Sequence, residues 1–280
     1  MDIVVLSGKG GTGKTTVSTN LAAVAGADAA LLDCDVEEPN GHLFMAPGLE
    51  RSIPVHARFP QIDEEKCIHC GKCSRFCQFN ALLITKKTNI VMSELCHDCG
   101  GCALVCPVDA VTYGEREVGQ AGRFERSDGL LFMDGVINTG EFSAEKVIER
   151  VLEEGKDRAY RIIDSPPGCA CSAVAAAEGA DFALVVTEPT PFALSDMKMV
   201  VEMLEKLAVP AAVFINKAGE NEEDLLAYCA EKNLPVMGKM PFSREYGKIL
   251  VEGKLIARES DEGRALFEDL WSRIRQGRAG

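Results

Sequence analysis

The segment Gly8-Lys9-Gly10-Gly11-Thr12-Gly13-Lys14-Thr15 fits the pattern G-x4-G-K-[ST]. It stands between an apolar run, Ile3 to Leu6, and a helix-compatible stretch from Lys14 to about Ala25. Strand, glycine-rich loop and helix in that order commit the start of the chain to an α/β fold. The glycines let the backbone curl so that successive N–H groups converge on phosphate, helped by the positive end of the helix. Gly10, Gly11, Thr12, Gly13, Lys14, Thr15 and Thr16 are therefore expected to hold a nucleotide, with Lys14 on the β and γ phosphates and the Thr15 hydroxyl on Mg2+.

The rest of the chain supports that class. A second buried strand is expected at Ala29 to Leu32, ending in Asp33-Cys34-Asp35, and the Pro- and Gly-punctuated stretch on to Pro60 reads as irregular. A hairpin is expected between Gly114 and Thr139, followed by a helix over 143–154. Strands at Tyr160 to Ile163, Phe182 to Val186, Ala212 to Ile215 and Val236 to Met240 then alternate with helical segments. Such alternation implies a mostly parallel sheet covered on both faces. Near the C-terminus Phe267, Leu270, Trp271 and Ile274 share one helical face beside Arg273 and Arg275. Packing on the sheet is expected over a place on a membrane surface, because a terminal helix needs a buried face.

Eight of the twelve cysteines interrupt this alternation. Cys67, Cys70, Cys73 and Cys77 have the spacing C-x2-C-x2-C-x3-C, and Cys96, Cys99, Cys102 and Cys106 repeat it 29 residues later. Three thiolates at this spacing wrap one cubane while the fourth reaches the other cluster, so Cys67, Cys70, Cys73 and Cys106 should hold one [4Fe-4S] cluster. Cys96, Cys99, Cys102 and Cys77 should hold the second. Zinc prefers two separated ligand pairs, which a C-x2-C-x2-C triplet supplies poorly. The segment resembles the bacterial two-cluster ferredoxin. Cys106-Pro107 matches the ending of that motif, whereas Gln78 stands where the first repeat would have proline. His69 and His97 are not needed as ligands.

A chain of 280 residues with 46% hydrophobic content can bury a full core. Its formal charge of -13 opposes phosphate backbones, so nucleic acid is not an expected partner. The opening Met1-Asp2 is acidic where a signal peptide is basic, and no apolar run approaches membrane-spanning length. A cytoplasmic protein is expected.

With Lys9 added, Gly-Lys-Gly-Gly-Thr-Gly-Lys-Thr-Thr is the deviant Walker A sequence. In it the chain resembles the MinD/Mrp family of P-loop ATPases, relatives of the nitrogenase iron protein. Asp33-Cys34-Asp35 is similar to the family's first switch, and Asp164-Ser165-Pro166-Pro167-Gly168 to its second. Asn216-Lys217 is similar to the base-reading segment, and Met240-Pro241-Phe242 to the late loop beside the adenine. The resemblance implies an ATP-dependent homodimer in which Lys9 reaches the partner's phosphates, Asp35 orients the attacking water, Asp164 holds the Mg2+ shell, and Asn216 and Pro241 border the base. Guanine readers carry Asn-Lys-x-Asp, but position 219 is glycine, so ATP is favoured over GTP.

The expected architecture is an α/β P-loop NTPase core with a mostly parallel sheet, residues 1–60 and 115–280, carrying an inserted small ferredoxin-like domain at 61–114. The expected work is ATP hydrolysis coupled to electron transfer or metallocluster assembly with a redox or metallocluster protein. The alternatives are an iron-sulfur cluster carrier, or a scaffold or positioning ATPase with structural clusters. Two readings stay open for Cys169 and Cys171: thiols packed behind the second switch, or ligands like that of the iron protein's intersubunit cluster. Cys34 and Cys229 read as core residues.

Overall fold

The computed structural model describes residues 1–45 and 51–277. Its strands are β1 (Asp2–Leu6), β2 (Ala29–Asp33), β3 (Arg51–Ile62), β4 (Leu82–Ile84), β5 (Asn89–Val91), β6 (Val111–Glu125), β7 (Leu131–Ile137), β8 (Tyr160–Asp164), β9 (Phe182–Thr187), β10 (Ala211–Ala218) and β11 (Val236–Pro241). Nine of them form one sheet in the order β11-β10-β9-β1-β8-β2-β7-β6-β3, and β4 pairs only with β5. From β11 to β7 all neighbours are parallel, and β6 and β3 extend the edge by antiparallel pairing.

Alternation along the central strands explains the two faces. Ile3 and Val5 of β1 face the helices Lys14–Ala25, Ile256–Glu259 and Asp261–Gln276, while Val4 and Leu6 face Ala144–Glu154, Cys171–Ala177 and Pro191–Leu207. All four side chains are fully buried, as expected of a sheet covered on both sides. The apolar stripe of the last helix also lies in the core: Phe267, Leu270, Trp271 and Ile274 are buried, and Trp271 meets Tyr160 edge-on. Each such side chain stabilises the fold by roughly 1.5–3 kcal/mol, which a place on a membrane surface would forfeit. Cys34 and Cys229 are buried core residues. Among the described residues no helix is long and apolar enough to cross a membrane.

One expectation is corrected. The stretch leading to Pro60 is not irregular over residues 51–60: it is most of β3, paired with β6 from Arg51↔Arg123 to Ile62↔Val111 with one register shift at Val55/His56. Residues 46–50 of that stretch lie outside the described residues. Pro54 and Pro60 misled the sequence reading because proline breaks interior strands. β3, however, is the edge of the sheet, where a missing donor costs no ladder bond. The β3–β6 ribbon runs continuously across both expected domain boundaries and carries residues 63–110 at its end.

Candidate functional site

The C-terminal ends of parallel strands form a crevice at the point where the strand order reverses around β1, the place such sheets use for ligands. The loop after β1 enters the helix Lys14–Ala25 through Gly13 at φ 91, a conformation that L side chains rarely adopt. A Cβ there would also lie 2.1 Å from Asn216 Nδ2. Asn216, 5% exposed, donates from that nitrogen to the Thr12 carbonyl at 2.7 Å and so braces the loop from β10. The turn after β8 is pinned to the same loop, with the Gly168 amide donating to the Ser7 carbonyl at 2.8 Å.

These loops enclose a cavity lined by Gly10, Gly11, Gly13, Lys14, Thr15 and Thr16 on one side and by Asp35, Val36, Glu38 and Asn40 on another. Ala144, Pro166, Pro167, Ala170 and Ser172 also line it. Lys14 is buried, with Nζ 2.9 Å from Asp164 Oδ1 and 3.6 Å from Asp35 Oδ2. Burial opposes its charge, but Asp164, and behind it Asp35 and Asp33, outweigh that and hold its pKa above the ordinary lysine value. Burial raises the Asp35 carboxyl, against the pull of Lys14. Asp164 Oδ2 is buried and accepts no hydrogen bond from the protein.

Of the expected nucleotide residues, Gly10, Gly11, Gly13, Lys14, Thr15, Thr16 and Asp35 line this cavity, and Asp164 reaches it through Lys14. Thr12 is buried beneath the loop, its carbonyl held by Asn216. Lys9 is half-exposed and does not line the cavity. Asn216 of β10 pairs with Met240 of β11, and Pro241 with Ala218; both Asn216 and Pro241 are outside the cavity lining, the asparagine occupied with the loop carbonyl of Thr12. Cys169 and Cys171 are exposed at the turn beside Ala170 and Ser172, which corrects the reading of thiols packed behind the switch.

The sequence assigns Asp33 no role of its own within Asp33-Cys34-Asp35. Fully buried, it accepts the backbone amides of Asp35, Asn40 and Gly41, folding the loop after β2 over the cavity. Burial, with Asp164 nearby, pushes its pKa up to about 8 despite those amides and Lys14. A strand-end Asp followed by turn residues was the available signal.

Two further cavities lie at the end of the β3–β6 ribbon. One is lined by Cys67, Cys70, Cys73 and Cys106, with Ile62, Ile84, Val108 and Val111 around them. The other is lined by Cys77, Cys96, Cys99 and Cys102, with Pro60, Phe79, His97 and Tyr113. The 29-residue repeat extends to the backbone: His69 and Asp98, Gly71 and Gly100, and Asn80 and Asp109 all have positive φ at matching positions. Pro60 and Tyr113 precede Ile62 and Val111 on the ribbon, so the second cavity is nearer the core. Tyr113 Oη lies 3.4 Å from Cys102 Sγ, and the Ala110 amide donates to Cys106 Sγ at 3.3 Å. Among the described residues no three His, Cys, Asp or Glu side chains converge on one metal ion. A cubane spreads its four thiolates over four irons, so its ligands surround a space instead of converging on a point.

A family model for the CobQ/CobB/MinD/ParA nucleotide-binding domain matches residues 3–256. Two uncharacterized proteins of Methanocaldococcus jannaschii are similar to the chain. One is 33% identical over 225 residues, covering 78% of this chain and 81% of that protein, and the other 30% over 282 residues, covering 99% and 97%. An iron-sulfur cluster carrier protein of Pyrococcus horikoshii is 26% identical over 238 residues, 82% of this chain and 64% of that protein. The septum site-determining protein MinD of Pyrococcus horikoshii, solved with Mg-ADP, shares the fold. Its TM-score is 0.63 at 19% identity, with 99% of this chain and 96% of that chain covered.

Proposed function

The chain belongs to the CobQ/CobB/MinD/ParA nucleotide-binding domain family, and from that premise we propose that it is an ATP-hydrolysing iron-sulfur protein in which nucleotide state is coupled to two [4Fe-4S] centres serving electron transfer or metallocluster assembly. The observation that carries this reading is the pair of cavities, each lined by four cysteines drawn three from one repeat and one from the other. That crossed donor set suits a cubane, which when bound supplies one-electron chemistry. Residues 61–114 are then a ferredoxin-type module held on a ribbon, and residues 1–60 and 115–280 the ATPase core.

In the nucleotide site Lys14 exchanges part of its pairing with Asp164 for the β and γ phosphates, and the loop amides around Gly10 to Thr15 donate to the remaining phosphate oxygens. Thr15 and the unpartnered Oδ2 of Asp164 are the groups that would hold Mg2+, which supplies neutralisation of phosphate charge. A protein that shares the fold is solved with Mg-ADP, which supports a nucleotide with Mg2+ as the occupant. Asp35, on the cavity wall 3.6 Å from Lys14, orients the attacking water. Lys9 is the group that would reach the phosphates of a second copy in a closed homodimer, and its half-exposed place outside its own cavity is compatible with that role. Asn216 and Pro241 border the base.

The test is metal analysis of anaerobically isolated protein, with about eight iron and eight sulfide per chain expected. Zinc in place of iron, or four iron with all eight cysteines intact, overturns the cluster reading. A carrier function is favoured by the similarity to the cluster carrier protein and by the exposed Cys169 and Cys171 beside the cavity. It requires iron beyond eight that a mild chelator removes, and the same assay decides it. Asp35→Ala should bind ATP like the parent while turnover falls on the order of 10²–10⁴-fold, the usual range for a positioned acid–base group. Parallel measurement of nucleotide binding and phosphate release checks this, and normal turnover would remove Asp35 from the mechanism.

A further inference from the structure

The wall of the nucleotide cavity and the loop that holds Cys96 are tied through one short segment. Val36 lines the cavity, and its carbonyl accepts the Ile137 amide at 3.0 Å at the end of β7. Ala144 lines the same cavity at the start of the helix Ala144–Glu154. Between them runs the segment 138–143, which is flanked by Ile137, bonded to the cavity wall at Val36, and by Ala144 of the wall itself.

The second half of that segment grips the second cysteine repeat. Ser143, 2% exposed, donates from Oγ to the Cys96 carbonyl at 3.3 Å. Glu141 pairs with Arg116, whose guanidinium also donates to the Ser93 carbonyl at 3.0 Å, to the Cys96 carbonyl at 3.3 Å and to Ser143 Oγ at 3.5 Å. His97 lies 4.0 Å from Glu145 on the same helix. Arg116 and Glu141 are largely buried, so these charge-assisted bonds are shielded from water and hold a fixed geometry. Among the described residues the first repeat has no such tie: the hydrogen bonds of the loop around Cys67, Cys70 and Gly71 stay within residues 62–111.

We propose that Ser143 and Arg116 are positioning residues that transmit nucleotide occupancy to the centre of Cys77, Cys96, Cys99 and Cys102, and that the centre of Cys67, Cys70, Cys73 and Cys106 does not respond. The inference rests on the nucleotide and cluster readings above. A phosphate group drawing the loop after β2 inward moves Val36, and with it Ile137, while the Arg116 fork resists any sliding of the Cys96 loop against Ser143. The energy of a nucleotide contact therefore reaches one repeat through rigid, buried bonds, and the other only through the length of the ribbon. A centre with one loop fixed to the core and another facing away suits a relay in which the outer centre exchanges electrons with a partner protein.

Amide hydrogen exchange on the whole protein, with and without Mg2+ and a non-hydrolysable ATP analogue, tests the proposal. Exchange over residues 93–99 and 138–144 should slow several-fold with the analogue, and that over residues 67–73 should stay unchanged. Ser143→Ala and Arg116→Lys should bind the analogue like the parent and lose the response at 93–99. In EPR-monitored redox titration, one of the two centres should shift with nucleotide in the parent and neither in the variants. An equal response at both cysteine loops, or a response at 93–99 that survives in both variants, overturns the proposal. If iron is absent, the cluster reading fails while the exchange data still decide the coupling; if calorimetry finds no analogue binding, the nucleotide reading and the proposal fall together.

Discussion

Replacing Lys14 by alanine should lower ATP affinity by on the order of 10²–10⁴-fold, because the variant loses two charge-assisted bonds worth roughly 1.5–3 kcal/mol each. The same change leaves Asp164, 1% exposed, beside Asp35 with no cation between them. Like charges then oppose the polyphosphate as well. Removing one partner of a buried pair costs about 3–5 kcal/mol of stability, so equilibrium dialysis must be run below the variant's unfolding transition. Lys14→Gln serves as a better-packed control. Lys9→Ala should behave differently. Lys9 is half-exposed and outside the cavity, so its loss should leave ATP binding within a few-fold of the parent and remove ATP-dependent dimerisation, read by light scattering. Normal dimerisation and hydrolysis by Lys9→Ala would strip the deviant motif of its mechanistic content, and near-normal binding by Lys14→Ala would place the phosphates elsewhere.

Paired cysteine substitutions should separate crossed from sequential ligation with an all-or-half change in iron. Cys77 follows the helix Lys72–Phe76 and lines the cavity of Cys96, Cys99 and Cys102, although Cys73 is four residues away in sequence. The variant Cys77→Ala with Cys99→Ala should therefore keep about four iron, because both lost ligands belong to one centre. Cys77→Ala with Cys70→Ala should lose both centres and keep almost none. Sequential ligation predicts the reverse pair of results. Iron and sulfide analysis after anaerobic isolation distinguishes them, and circular dichroism of the ATPase core confirms that the sheet remains folded.

How far the site could be read depended on the range of each signal. The phosphate loop was legible because strand, glycines and helix are contiguous, so local backbone geometry alone dictates that amides converge around Gly10 to Thr15. The cysteine repeats were legible for a similar reason: a 29-residue period appears in the spacing of the thiols and again in the left-handed residues of each turn. Pro54 and Pro60 hide the edge strand in the sequence, because proline is excluded from interior strands but tolerated where only one side of the backbone is paired. Asp33 carries no role in the sequence beyond its place in Asp33-Cys34-Asp35, because the three amides that close on its carboxylate come from the folded loop after β2.

The sequence by itself determined the alternating α/β class, the phosphate loop, the duplicated cysteine frame and the buried stripe of the last helix, because each is written in residues within a few turns or strands of one another. The tertiary structure alone decided which distant loops meet. Parallel order sets β1 between β8 and β9 and so delivers Asp164 to Lys14 across 150 residues. The antiparallel ribbon of β3 and β6 carries the cysteines outward, and the buried fork of Arg116 with Ser143 brings the Cys96 loop back against the nucleotide cavity. Long-range contacts of this kind follow from sheet order and from satisfying buried polar groups, and neither leaves a periodic trace in the chain.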